Sequence, residues 1–114
     1  MKQLIEKFWA DMYEGIMAQD KSKITQHFAD GATYAFRTAD EMMAVELDEL
    51  AASCLSYKPT LDQKYSIERV DELADGSWVS IVAASVDKKP YFTVSYFTFD
   101  GDKISNLTEY YGDF

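Results

Sequence analysis

The chain has 114 residues, enough for one domain with a real core and no need of disulfide or metal staples. Apolar residues make up 47% and aromatics 15%, which excludes a disordered chain. The net charge of −9 and eleven scattered basic residues argue against nucleic acid and anionic membrane surfaces as partners, since both need clustered Lys or Arg.

The first segment, residues 4–17, carries apolar side chains in paired columns four apart: Leu4 and Ile5, Phe8 and Trp9, Met12 and Tyr13, Ile16 and Met17. That spacing predicts a helix with one broad apolar stripe. Its charges also exclude a secretion signal or a membrane span, and a cytoplasmic location is the simplest expectation. Gly15 costs a helix interior about 1 kcal/mol and points to close packing there. Asp20 or Ser22 can cap a short second helix over residues 23–28, ended by Ala29-Asp30-Gly31, and residues 32–37 read as a strand.

Thr38-Ala39-Asp40-Glu41 matches a capping box. Met43, Leu47, Leu50 and Cys54 behind it follow helical spacing, and Pro59 closes that segment. Three strands are predicted next, over residues 61–73, Trp78–Val86 and residues 91–99. Asp75-Gly76 marks the hairpin between the first two, and Asp87 to Pro90 the turn between the next two. Asp100-Gly101 then turns the chain into a last strand. In that strand Leu107, Glu109 and Tyr111 share a face, because alternate strand residues point the same way.

Helix, helix, strand, helix and four consecutive strands give an α+β domain with a largely antiparallel sheet and three helices on one face, a single domain over residues 1–114. The strands at residues 78–86 and 91–99 carry apolar groups on both faces. The face away from the helices is therefore expected to meet a second copy in a homodimer.

Several short motifs resemble the nuclear-transport-factor-2-like superfamily, nearest its polyketide-cyclase (SnoaL-like) and ketosteroid-isomerase branches. They are the amphipathic first helix, the segment His27-Phe28-Ala29-Asp30-Gly31-Ala32-Thr33-Tyr34, and the closing Asp100-Gly101-Asp102-Lys103-Ile104 with Glu109-Tyr110-Tyr111. The resemblance implies a cystatin-like cone: a strongly curved sheet wrapping the helices, a pocket open at one end, and often a dimer across the sheet. It also implies a range of activities from isomerases to non-catalytic binding modules, so the fold says where a site lies and not what it does.

Residue by residue, the resemblance removes two chemistries. An ungapped overlay puts Phe36 where the isomerase branch keeps its proton-shuttling Asp. The His pair of the dehydratases has no counterpart, because His27 is the one histidine; it reads as a surface or rim residue, and a multi-His metal site is unavailable. Glu109 remains as the candidate catalytic acid or base. Among apolar neighbours its pKa would rise, whereas pairing with Arg69, Arg37 or a Lys would make it structural. Trp9, Tyr13, Tyr34, Phe36, Tyr57, Tyr96 and Tyr111 are the candidate lining of an aromatic pocket, with hydroxyls to orient a ligand. Cys54 has no base in the sequence to make it a nucleophile.

The expectation is a cofactor-independent protein acting on, or simply holding, a small hydrophobic or aromatic molecule. A non-catalytic ligand-binding or protein-interaction module is the alternative. A purely structural dimerisation domain would require a cone filled by its own side chains.

Overall fold

A computed structural model describes residues 1–62 and 64–113. The apolar columns of the first segment form α1 (Lys2–Ala18), with Ile5, Phe8, Trp9, Met12, Tyr13 and Ile16 buried. At its end a Cβ on Gly15 would touch the Asp20 carbonyl at 3.0 Å and Ile24 at 3.3 Å, so glycine lets α1 pack tightly on α2 (Ser22–Thr25). Asp20 accepts bonds from the Ser22 backbone N–H and hydroxyl. This second helix is shorter than predicted, because Phe28 already belongs to strand β1 (Phe28–Arg37).

The capping box does not start a helix. Thr38 Oγ1 does take the Glu41 N–H at 3.0 Å, as in a capping box. Its own N–H, however, bonds the Glu41 carbonyl at 2.8 Å, which closes a hairpin instead. The chain returns as β2 (Met42–Val45), antiparallel to Tyr34–Arg37, and Met43 sits in that strand with much of its surface exposed. The helix α3 (Leu47–Leu55) begins one turn later than the spacing suggests and buries Leu50 and Ala51.

Four strands follow: β3 (Ser66–Glu72), β4 (Trp78–Val86), β5 (Lys89–Asp100) and β6 (Lys103–Asp113). Of the stretch predicted as the start of β3, Leu61, Asp62, Lys64 and Tyr65 lie outside it and residue 63 falls outside the described residues; Leu61 makes an isolated bridge to Val86. Positive φ at Gly76 and Gly101 turns the chain at the two Asp-Gly signals, and Asp87 and Lys88 adopt φ of 52° and 63° between β4 and β5.

The six strands form one sheet in the order β2-β1-β6-β5-β4-β3. Every pairing is antiparallel except β1 with β6, which run parallel. The sheet curls around the three helices, an α+β cone. The core lies between α1 and the inner sheet face, where the Phe8 ring meets Trp9, Phe28 and Phe97 edge-on at 5.3–5.9 Å. Among the described residues no helix is long and apolar enough to cross a membrane.

The irregularity between Thr98 and Phe99 places Ile104 and Leu107 on the same inner face although they are an odd number apart. Beyond it the alternation runs cleanly, so Leu107 and Glu109 both turn inward and are 0% and 3% exposed.

Candidate functional site

Strand register assembles the site. Antiparallel pairing puts Ser95 of β5 directly opposite Glu109 of β6, and parallel pairing puts Phe36 of β1 beside it. Glu109 therefore meets neighbours from both sides of its strand. Ser95 donates to Oε2 at 2.7 Å, while Tyr34 and Tyr111 both donate to Oε1, at 2.8 and 3.0 Å. The two tyrosine hydroxyls lie 3.2 Å apart. Tyr34 is buried; Tyr111 leaves half its surface exposed but turns its hydroxyl inward.

Burial raises the pKa of Glu109, and the three hydroxyl bonds offset only part of that rise. None of the ion pairs among the described residues includes it. Arg69, a candidate partner from sequence, bonds Asp71 at 2.7 Å instead. Among the described residues the carboxyl group is thus held by hydroxyls, with no cation paired to it.

Glu109 borders a cavity of about 820 Å³ between the helices and the inner sheet face. Trp9, Tyr13, Tyr34, Phe36, Tyr57 and Tyr111 line it, so six of the seven aromatic candidates are brought together. Trp9 is oriented by its indole N–H, which donates to the buried Ser80 hydroxyl at 3.1 Å. Tyr13 stacks on Tyr65 with ring centres 4.2 Å apart, and burial raises its hydroxyl pKa. Tyr57 leaves nearly half its surface exposed and stands with Arg37, Glu49 and Asp113 among the exposed lining residues, which mark the mouth.

Tyr96 corrects the expectation. It alternates with the fully buried Ser95 and Phe97, so it points to the outer face and packs edge-on against Tyr110 at 5.9 Å. It takes no part in the cavity. His27 also lies elsewhere: its Nε2 is 2.8 Å from Asp11, and the pair sits beside Lys7 and Gln26, away from the cavity.

Sequence reasoning missed Ser95, Tyr91, Thr93 and the rim residues Arg37, Glu49 and Asp113 as parts of the site. Only register could have found Ser95, which has no motif of its own. Cys54 lines the cavity too, and burial together with the nearby Glu109 pushes its thiol up to about 12, making it inert. Among the described residues no three metal-ligating side chains come together.

No protein-family model matches this chain, and no curated protein does. Solved structures match its fold over almost the whole length. A nuclear-transport-factor-2-like protein of unknown function from Burkholderia xenovorans is 20% identical, with a TM-score of 0.70 over 98% of this chain and 85% of its own. A steroid delta-isomerase from Pseudomonas aeruginosa is 18% identical, with a TM-score of 0.63 over 91% of this chain and 76% of its own. A cystatin-fold protein from Novosphingobium aromaticivorans is 14% identical, with a TM-score of 0.61 over 90% and 93% of the two chains.

Proposed function

We infer that the chain, whose likeness to nuclear-transport-factor-2-like proteins at these identities speaks for the fold alone, works through the cavity beside Glu109. We propose that it is a small-molecule pocket protein of the SnoaL-like kind, in which Glu109 does cofactor-independent acid–base chemistry on a small hydrophobic or aromatic substrate. One observation carries this reading: a carboxyl group 3% exposed, with no cationic partner among the described residues, at an aromatic-lined cavity of about 820 Å³. A core that needed only stability would be served as well by an apolar residue there. A group whose pKa is raised by burial can take and return a proton, and Tyr34 and Tyr111 hold its Oε1 in place.

The test is proton exchange on a probe with an acidic C–H beside a carbonyl. In D2O the protein should speed deuterium uptake into 2-tetralone, followed by NMR, and Glu109→Gln should slow that rate by about 100-fold or more. A wild-type rate equal to the buffer rate, or a Gln variant as fast as wild type, would sink the acid–base reading.

One feature favours a second, non-catalytic reading. Three hydroxyls already occupy both carboxylate oxygens, which suits a fixed anchor for a ligand as well as a mobile proton carrier. Binding of the probe without exchange would select it. For the assembly we propose a homodimer across the outer sheet face. Val79, Ile81, Ala83 and Val94 all point there by strand alternation with no charge among them, and among the described residues no helix covers them.

A further inference from the structure

The cavity carries a charge pattern that an apolar ligand alone does not require. Among the described residues three carboxylates line it, Glu109 within and Glu49 and Asp113 among the exposed residues, against one cation, Arg37. Glu109 is surrounded by hydroxyls, which donate hydrogen bonds but bring no net charge. In its ionised form, which a bound cation would favour, its negative potential reaches into the cavity uncompensated by those hydroxyls, and it strengthens once a ligand displaces water.

The hydrogen-bond directions add a second constraint. The hydroxyl hydrogens of Tyr34, Tyr111 and Ser95 are all committed to the carboxylate. What this end of the cavity offers a ligand is lone pairs, from the carboxylate and from the tyrosine oxygens. With Glu109 ionised, a carbonyl oxygen or an anion finds no donor in that group, and Arg37, the one cation among the described lining residues, stands among the exposed ones. The walls are the third element. The rings of Tyr34, Phe36 and Tyr111 flank Glu109, and their π faces attract positive charge.

We infer that the ligand of this cavity is an organic ammonium ion, an amine on a hydrophobic or aromatic body. Its charged nitrogen sits by Glu109, Tyr34 and Tyr111, and its body lies along Ile16, Leu50 and Trp9. The inference deepens the pocket reading and rests on it.

Isothermal titration at pH 7.5 with molecules that share one body tests it: 2-(naphthalen-2-yl)ethylamine, the matching alcohol, the N-acetylated amine and 2-naphthylacetate. The amine should bind about tenfold or more tighter than the other three, and Glu109→Gln should reduce that preference to about threefold or less. The acetylated amine keeps the body and removes the charge, so it reads the charge preference without altering the protein. An alcohol, amide or acetate that binds as tightly as the amine overturns the inference while leaving the pocket reading intact. A full preference retained in the Gln variant overturns it as well. If none of the four binds, both readings fall together.

Discussion

Tyr34→Phe removes one oxygen and nothing else, which makes it a sharp probe of how Glu109 is held. The hydroxyl donates to Glu109 Oε1 at 2.8 Å and contacts the Tyr111 hydroxyl at 3.2 Å. Both partners of the main bond are almost fully buried, at 3% exposure each, so solvent does not screen it or replace it. A hydrogen bond to a charged group contributes about 1.5–3 kcal/mol, against about 1 kcal/mol for a neutral pair. Phenylalanine keeps the ring, so no large cavity opens. The expected loss at pH 8 is about 2 kcal/mol, a fall in Tm of about 8 °C for a domain of this size.

The pH dependence separates this account from simple loss of packing. Burial raises the folded-state pKa of Glu109 above its ordinary value of 4.5. Between the unfolded and folded values the folded state keeps a proton that the unfolded state has released. Stability is therefore greatest below the unfolded pKa and is lost as pH rises through the folded one. The Tyr34 bond lowers that folded pKa and limits the loss, so removing it extends the loss to higher pH. Urea denaturation of wild type and Tyr34→Phe at pH 4 and pH 8 should show a deficit larger by about 1 kcal/mol or more at pH 8. A deficit equal at both pH values, or below about 0.5 kcal/mol at pH 8, would show that Glu109 carries no charge that Tyr34 stabilises.

Two other predictions concern the cavity wall and the outer face. With its thiol pushed up to about 12, Cys54 should react with a thiol reagent at pH 8 at least about 100-fold more slowly in the native protein than in urea, and native rates within tenfold of the unfolded ones would refute its burial beside Glu109. Light scattering at micromolar concentration should give twice the 13.0 kDa chain mass, and Ile81→Glu, which puts a charge in the centre of the outer face, should give the chain mass alone; a monomeric wild type removes the dimer.

What the sequence made legible follows from local physics. The paired columns of α1 and the Asp-Gly turns are decided within a few residues, so their reading needs no partner. The inward face of Leu107 and Glu109 was legible because the strand irregularity falls before them and the period of two runs on undisturbed. Thr38-Ala39-Asp40-Glu41 misled because one hydrogen bond, Thr38 Oγ1 with the Glu41 N–H, serves a helix start and a hairpin turn equally. Pairing with Tyr34–Arg37 decides between them, and that lies outside the motif. Tyr96 misled for a different reason. In β5 both alternate sets contain aromatics, so polarity does not distinguish inner from outer; the fully buried Ser95 marks the inner set while looking like a surface residue.

Two carboxylates in this chain expose little surface, Asp11 at 7% and Glu109 at 3%, but Glu109 lies far deeper, and depth and partners together drive them apart. Burial raises Asp11 as well, but Lys7 at 3.0 Å and His27 at 2.8 Å outweigh it and bring its pKa below the ordinary value. Asp11 is therefore a fixed anion that ties α1 to the turn before β1. Glu109 has hydroxyls where Asp11 has the Lys7 ammonium and the His27 ring, and its pKa stays raised. On the acid–base reading proposed above, this split of like groups assigns the proton chemistry to Glu109 and not to Asp11. The contrast also says what would complete the site. A positive charge placed at Glu109 as Lys7 is placed at Asp11 would settle the carboxylate in its ionised form, and none of the protein's ion pairs among the described residues supplies one. A ligand that carries that charge in an apolar body would gain from both the walls and the carboxylate. A neutral ligand of the same shape would gain from the walls alone.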